Sequence, residues 1–69
     1  MSVHKVIEVL SQSETGWEDA ARKAVAEASE TVKGIKSVYV KDMQGIVENG
    51  QIKSYRVNVK VTFEVADNR

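Results

Sequence analysis

Asn49-Gly50-Gln51-Ile52-Lys53-Ser54-Tyr55-Arg56-Val57-Asn58-Val59-Lys60-Val61-Thr62-Phe63-Glu64-Val65 is the stretch that decides the fold. From Tyr55 onward the alternation is unbroken. Tyr55, Val57, Val59, Val61, Phe63 and Val65 fall on one side, and Arg56, Asn58, Lys60, Thr62 and Glu64 on the other. Successive side chains of a strand leave opposite faces, so this is a long strand with one buried and one polar face. Asn49-Gly50 just before it is a two-residue hairpin signal, because a type I′ turn needs positive φ at both central positions. The strand must therefore pair with whatever precedes the turn.

That preceding segment, Ile35 to Glu48, reads as a second long strand. Val38 and Val40 face one way, and Ser37, Tyr39 and Lys41 the other. The apolar phase shifts around Asp42-Met43-Gln44-Gly45, and Gly45 suggests a bulge there. Upstream, Thr15-Gly16-Trp17-Glu18 fits a capping box, and Glu18 and Asp19 suit the first turn of a helix. Trp17, Ala20, Ala21, Ala24, Val25, Ala28 and Val32 recur at spacings of three and four, which predicts one helix from about Gly16 to Val32. Gly34 is its left-handed stop. Val3 to Leu10 is β-rich with apolar residues on both faces, as expected of a central or well-covered strand. Ser11 to Glu14 reads as a polar connector, and Ala66 to Arg69 as a polar tail. The order β-α-β-β, with a right-handed crossover, predicts an α+β fold: a three-stranded antiparallel sheet of order 2-3-1, partly wrapped around one helix.

The 69 residues make one domain. A chain this short buries a modest share of its surface and is marginal alone. It has no cysteine, so no disulfide and no thiolate metal site strengthens it, and oligomerisation is the remaining common remedy. Lys plus Arg and Asp plus Glu each number 10, interspersed, which argues against a nucleic-acid-binding stripe. No apolar run approaches the roughly 20 residues of a membrane span, and Val6 to Leu10 is too short for a signal-peptide core. These features point to a cytoplasmic protein.

The chain resembles the dodecin family. The matching residues are Lys5-Val6-Ile7-Glu8-Val9, Gly16-Trp17-Glu18-Asp19-Ala20-Ala21, Val40-Lys41-Asp42-Met43, and Tyr55-Arg56-Val57 through Phe63. Each motif is modest alone, but their order and spacing span nearly the whole chain. The resemblance implies a hollow homododecamer that binds or stores a small planar ligand, FMN or riboflavin in many members. It places the cofactor-binding positions at Ser37, Tyr39 and Arg56. Ser37 stands where flavin-binding members carry a stacking tryptophan, and Arg56 where they carry a glutamine that hydrogen-bonds the ring edge. A seryl side chain has no π face, and a guanidinium donates but cannot accept. The chain is thus nearer to members without the stacking tryptophan, and some relatives of that type are linked to calcium.

Other residues have plainer readings. Trp17 lies on the helix's apolar stripe, where packing on the sheet explains it. His4 has no partner at metal-ligand spacing. Asp42, Glu48 and Glu64 supply hard oxygen donors for a cation only if several copies bring them together; otherwise they are solvated carboxylates. No nucleophile–base pair or phosphate loop is present, so no enzymatic activity is expected. Two functions follow: a ligand-binding dodecameric shell, and a flavin-free dodecamer with an assembly or cation-binding role.

Overall fold

A computed structural model describes residues 3–65 of the chain. The elements run β1 (His4–Ser13), α1 (Trp17–Ser29), β2 (Ile35–Glu48) and β3 (Gln51–Glu64). The sheet is antiparallel with β3 in the middle, β1-β3-β2, which is the expected order. Asn49 (φ 54°) and Gly50 (φ 76°) make the hairpin turn that their sequence calls for. The tail expected over Ala66 to Arg69 lies outside the described residues.

The core follows directly from the alternation in β3. Val57, Val59 and Val61 are at most 1% exposed and meet Ala20 and Ala24 of the helix. Alanines let the helix axis approach the sheet closely, while Ile7, Val9, Trp17 and Ile35 close the edges of this cluster. Helix and sheet are badly matched in length. Thirteen helical residues span about 20 Å, but the 14 residues of β3 span about 46 Å. The molecule is accordingly long and thin, 56 × 19 × 13 Å. Beyond the helix, Met43, Val47 and Ile52 stay exposed.

Four local expectations are corrected. First, β1 continues through Ser11 and Gln12 to Ser13, and it is an edge strand rather than a central one. Polar residues do not end a strand whose partner, Tyr55 to Val57, still offers ladder hydrogen bonds. Val6 and Leu10, on its far face, are 56% and 64% exposed, so only the near face, with Ile7 and Val9, is covered within one copy. Second, the helix ends at Ser29, although Val32 N–H still donates to the Ala28 carbonyl. Gly34 does take positive φ (79°), but five residues on; a Cβ there would come within 3.0 Å of the Glu64 carbonyl.

Third, the capping box does not form. Gly16 is the N-cap, no side chain caps the helix, and Glu18 pairs with Arg22 instead. The connector is held by Asp19. Its carboxylate accepts the Ser13 hydroxyl at 2.6 Å, and the Ser13 oxygen accepts the Thr15 N–H at 3.0 Å. Fourth, Gly45 is not a bulge; it pairs regularly with Tyr55. The register slips at Lys36 and Lys41 on β2 and at Lys53 on β3. Each bulge residue is a lysine, and each reaches a carboxylate: Glu64, Glu8 and Glu48 respectively. These are exposed pairs worth little individually. The two on β2, Lys36 and Lys41, interrupt the sheet's free edge, as lysines and bulges commonly do on edge strands.

Hydrogen bonds from Ser13 and then Thr15 hold the Asp19 carboxyl below its ordinary value of 3.8, with a smaller contribution from Lys23. A depressed folded-state pKa stabilises the fold above the unfolded pKa and loses that contribution as pH falls through the folded one. Asp19→Asn should therefore flatten the acid side of the stability curve below about pH 4 and loosen the β1–α1 connector. Chemical denaturation of both proteins across that pH range measures it, and identical acid limbs would contradict the assignment.

Candidate functional site

Pleating sends the even-numbered residues of β1 and of the later part of β3 away from the helix, onto what is here called the outer face. It carries Val6, Glu8, Leu10 and Gln12 from β1, and Ser54, Arg56, Asn58, Lys60 and Thr62 from β3. Cross-strand pairing adds Ser37 opposite Thr62, Tyr39 opposite Lys60, Asp42 opposite Asn58 and Gln44 opposite Arg56 from β2. All three expected ligand residues, Ser37, Tyr39 and Arg56, therefore lie on this face. Ser37 and Tyr39 are same-face neighbours on β2, but Arg56 is remote from both. Arg56 and Thr62 are six strand residues apart, so Arg56 and Ser37 are separated by roughly 20 Å. No tricyclic ring touches both within one copy.

Arg56 is half-buried, with Gln12 on one side and Gln44 on the other. Its Nε and Nη2 both donate to Gln12 Oε1, at 3.2 and 3.0 Å. Gln12 Nε2 in turn donates to Ser54 Oγ at 3.2 Å, and Ser54 is 4% exposed. A buried hydroxyl thus orients an amide, which orients a guanidinium. The sequence alone does not single out Gln12, Ser54 or Gln44. Its polar run places Gln12 in a connector, where a residue has no strand face. The alternation Val6, Glu8, Leu10, carried on by two residues, is the signal that sets Gln12 beside Arg56.

The neighbouring rungs are electrostatically self-contained. The Glu8 carboxyl is held below its ordinary value of 4.5, first by a hydrogen bond from Asn58 and then by the charge of Lys41, whose Nζ lies 3.5 Å away. Asn58 Oδ1 is buried with no hydrogen-bond partner among the described residues. Its amide faces Glu8, and flipping it would set oxygen against carboxylate. Tyr39 stands 65% exposed and is the one aromatic ring on this face among the described residues.

The candidate cation ligands do not converge in one copy. Glu48 ends β2 at the hairpin and Glu64 ends β3 at the opposite end of the sheet, each already paired with a lysine. Asp42 sits between them, and no group of three potential metal ligands forms among the described residues. Trp17 is on the other side of the sheet. It packs edge-to-face on Tyr55 with centroids 4.7 Å apart, and its Nε1 donates to the Gln44 carbonyl at 3.0 Å. Its role is packing, as expected. On that side an open groove of about 680 Å³ runs between helix and β2, lined by Trp17, Ala21, Val40 and Met43.

The outer face shows no acid–base or nucleophile pair among the described residues. As a flavin site it fits poorly: Ser37 offers no ring and Arg56 no acceptor. No helix among the described residues is long and apolar enough to cross a membrane.

Known proteins match this whole arrangement. The family model described as Dodecin matches residues 3–66. The calcium dodecin of Mycobacterium tuberculosis is 35% identical over 65 residues, spanning 94% of this chain and 92% of its own. The dodecin of Thermus thermophilus is 31% identical over 65 residues, with 94% of each covered. A Thermus thermophilus crystal structure superposes with a TM-score of 0.92 at 29% identity, covering 99% of this chain and 100% of that one. Fold, motifs and overall length agree, and the chain belongs to the dodecin family.

Proposed function

We propose that this protein is a homododecameric shell that binds a small ligand between copies, holds flavin only weakly, and catalyses no reaction. The observation that carries the reading is the unfinished state of the single copy. It exposes 5259 Å², against about 4,300 Å² for a compact monomer of this mass. The excess comes with Val6, Leu10, Met43, Val47 and Ile52 open on both faces. Arg56 lies too far from Ser37 and Tyr39 to share a planar ligand with them unless two copies supply the residues.

Light scattering at micromolar concentration should give a mass of twelve chains. Riboflavin and FMN fluorescence should be quenched far less than stacking on a tryptophan would produce. A stable folded monomer would remove the assembly. Tight quenching by the unmodified protein would remove the claim of weak flavin binding and make Tyr39 the first stacker to test. The cation-binding alternative draws support from the relative named calcium dodecin. Here it would need carboxylates such as Asp42 gathered from several copies, since none converge within one.

A further inference from the structure

We infer that Arg56 is the head of an oxyanion site, and that the ligand this face selects carries a carboxylate or phosphate group rather than a neutral ring edge. The inference rests on the ligand-binding reading of the same face and names the ligand's chemistry. Among the described arginines, Arg22 pairs with Glu18, while Arg56 has no carboxylate within salt-bridge distance. The carboxylates on adjoining rungs do not reach it. Glu8 is engaged by Lys41, and Asp42, one rung along, makes no ion pair with Arg56.

The guanidinium is nonetheless fixed. The two bonds to Gln12 Oε1 use one side of its fork, and Gln12 is held by the buried Ser54 hydroxyl. The remaining N–H groups have no partner among the described residues. A half-buried, oriented guanidinium with spare donors matches an oxyanion, because charge-assisted and bidentate bonds from arginine suit carboxylate and phosphate. It mismatches a flavin edge, which presents donors as well as acceptors. Leu10 and Ile46 flank the fork diagonally on the neighbouring strands, so an anion with an apolar body fits better than a bare one. Gln12 is a positioning residue: it touches Arg56, not the ligand.

The test is calorimetric titration of the intact assembly with inorganic phosphate and, separately, with benzoate. Both should bind at low salt and weaken as salt rises, with the stronger of the two identifying the head group. Arg56→Gln should weaken both by about tenfold or more, the loss expected for a bond to a charged group. Arg56→Lys should keep part of the affinity, since charge survives without the fork. Gln12→Leu should give a smaller loss with the charge unchanged. Light scattering on the same samples separates this idea from the dodecamer. A monomeric wild type that still loses anion binding on Arg56→Gln would leave this inference standing and sink the assembly. Equal binding by wild type and Arg56→Gln, or no binding by wild type, overturns the inference. So does dissociation of the Arg56→Gln assembly, which would assign Arg56's anion to a carboxylate of a second copy.

Discussion

Val59→Asp and Val61→Asp should each abolish folding. Both side chains are 0% exposed beneath Ala20 and Ala24. Losing a buried valine costs roughly 1.5–3 kcal/mol, and a carboxylate placed there has no partner, which adds several more. A chain this size has about 3–10 kcal/mol to lose. Lys60→Asp, between these two positions in sequence, should leave the fold intact. Its side chain is on the outer face, and the new carboxylate merely opposes Glu8 across the strands, a repulsion of about 0.2–1 kcal/mol. Circular dichroism of the three variants decides it. Equal loss of signal in all three would mean that the strand's facing is misassigned.

That contrast separates the features written locally in the chain from those that depend on distant pairing. In β3 the period is two from Tyr55 to Val65, and burial simply selects the apolar phase. The hairpin is equally local: two residues with positive φ decide it. The bulges are harder to read. Gly45 looks like the irregular position in the sequence, yet the extra residues are Lys36, Lys41 and Lys53. A long flexible side chain adapts to either face, so a bulge at lysine leaves no mark on the hydrophobic pattern. The capping box fails for a different reason. Glu18 finds a partner one turn on in Arg22, and Ser13, from outside the helix, takes over the connector through Asp19.

The site is legible in the sequence only as a face. Period places Ser37 and Tyr39 on one face of β2 and Arg56 on the polar face of β3, but it gives no distance along the strand. The roughly 20 Å between Arg56 and Ser37 follows from register, which depends on where the bulges fall. Gln12 and Ser54 are invisible to period because their importance comes from β1–β3 pairing, a contact between residues about forty positions apart in sequence. The apolar residues on both faces of β1 are plain in the sequence, where they read as burial within one copy. The exposure of Val6 and Leu10 instead points to a surface that a single chain does not close.

Replacing Ser37 by Trp and Arg56 by Gln together should turn the protein into a flavin binder. The tryptophan supplies a π face, worth roughly 1–3 kcal/mol by analogy with base–aromatic stacking, or about 5- to 150-fold in affinity. The glutamine supplies both a donor and an acceptor for the ring edge, and it removes a cation that the neutral ring cannot use. Each change alone should recover less. The two positions are too far apart to meet one ring within a copy, so the gain of the pair over the singles measures contact across copies. Fluorescence quenching of riboflavin against protein concentration, for the wild type, both singles and the double variant, gives that coupling as a double-mutant cycle. A gain larger than the sum of the singles, lost when the assembly is dissociated, supports a pocket shared between subunits. Strict additivity would mean that the introduced tryptophan and glutamine serve different sites, and that the ligand face of one copy is not completed by the next.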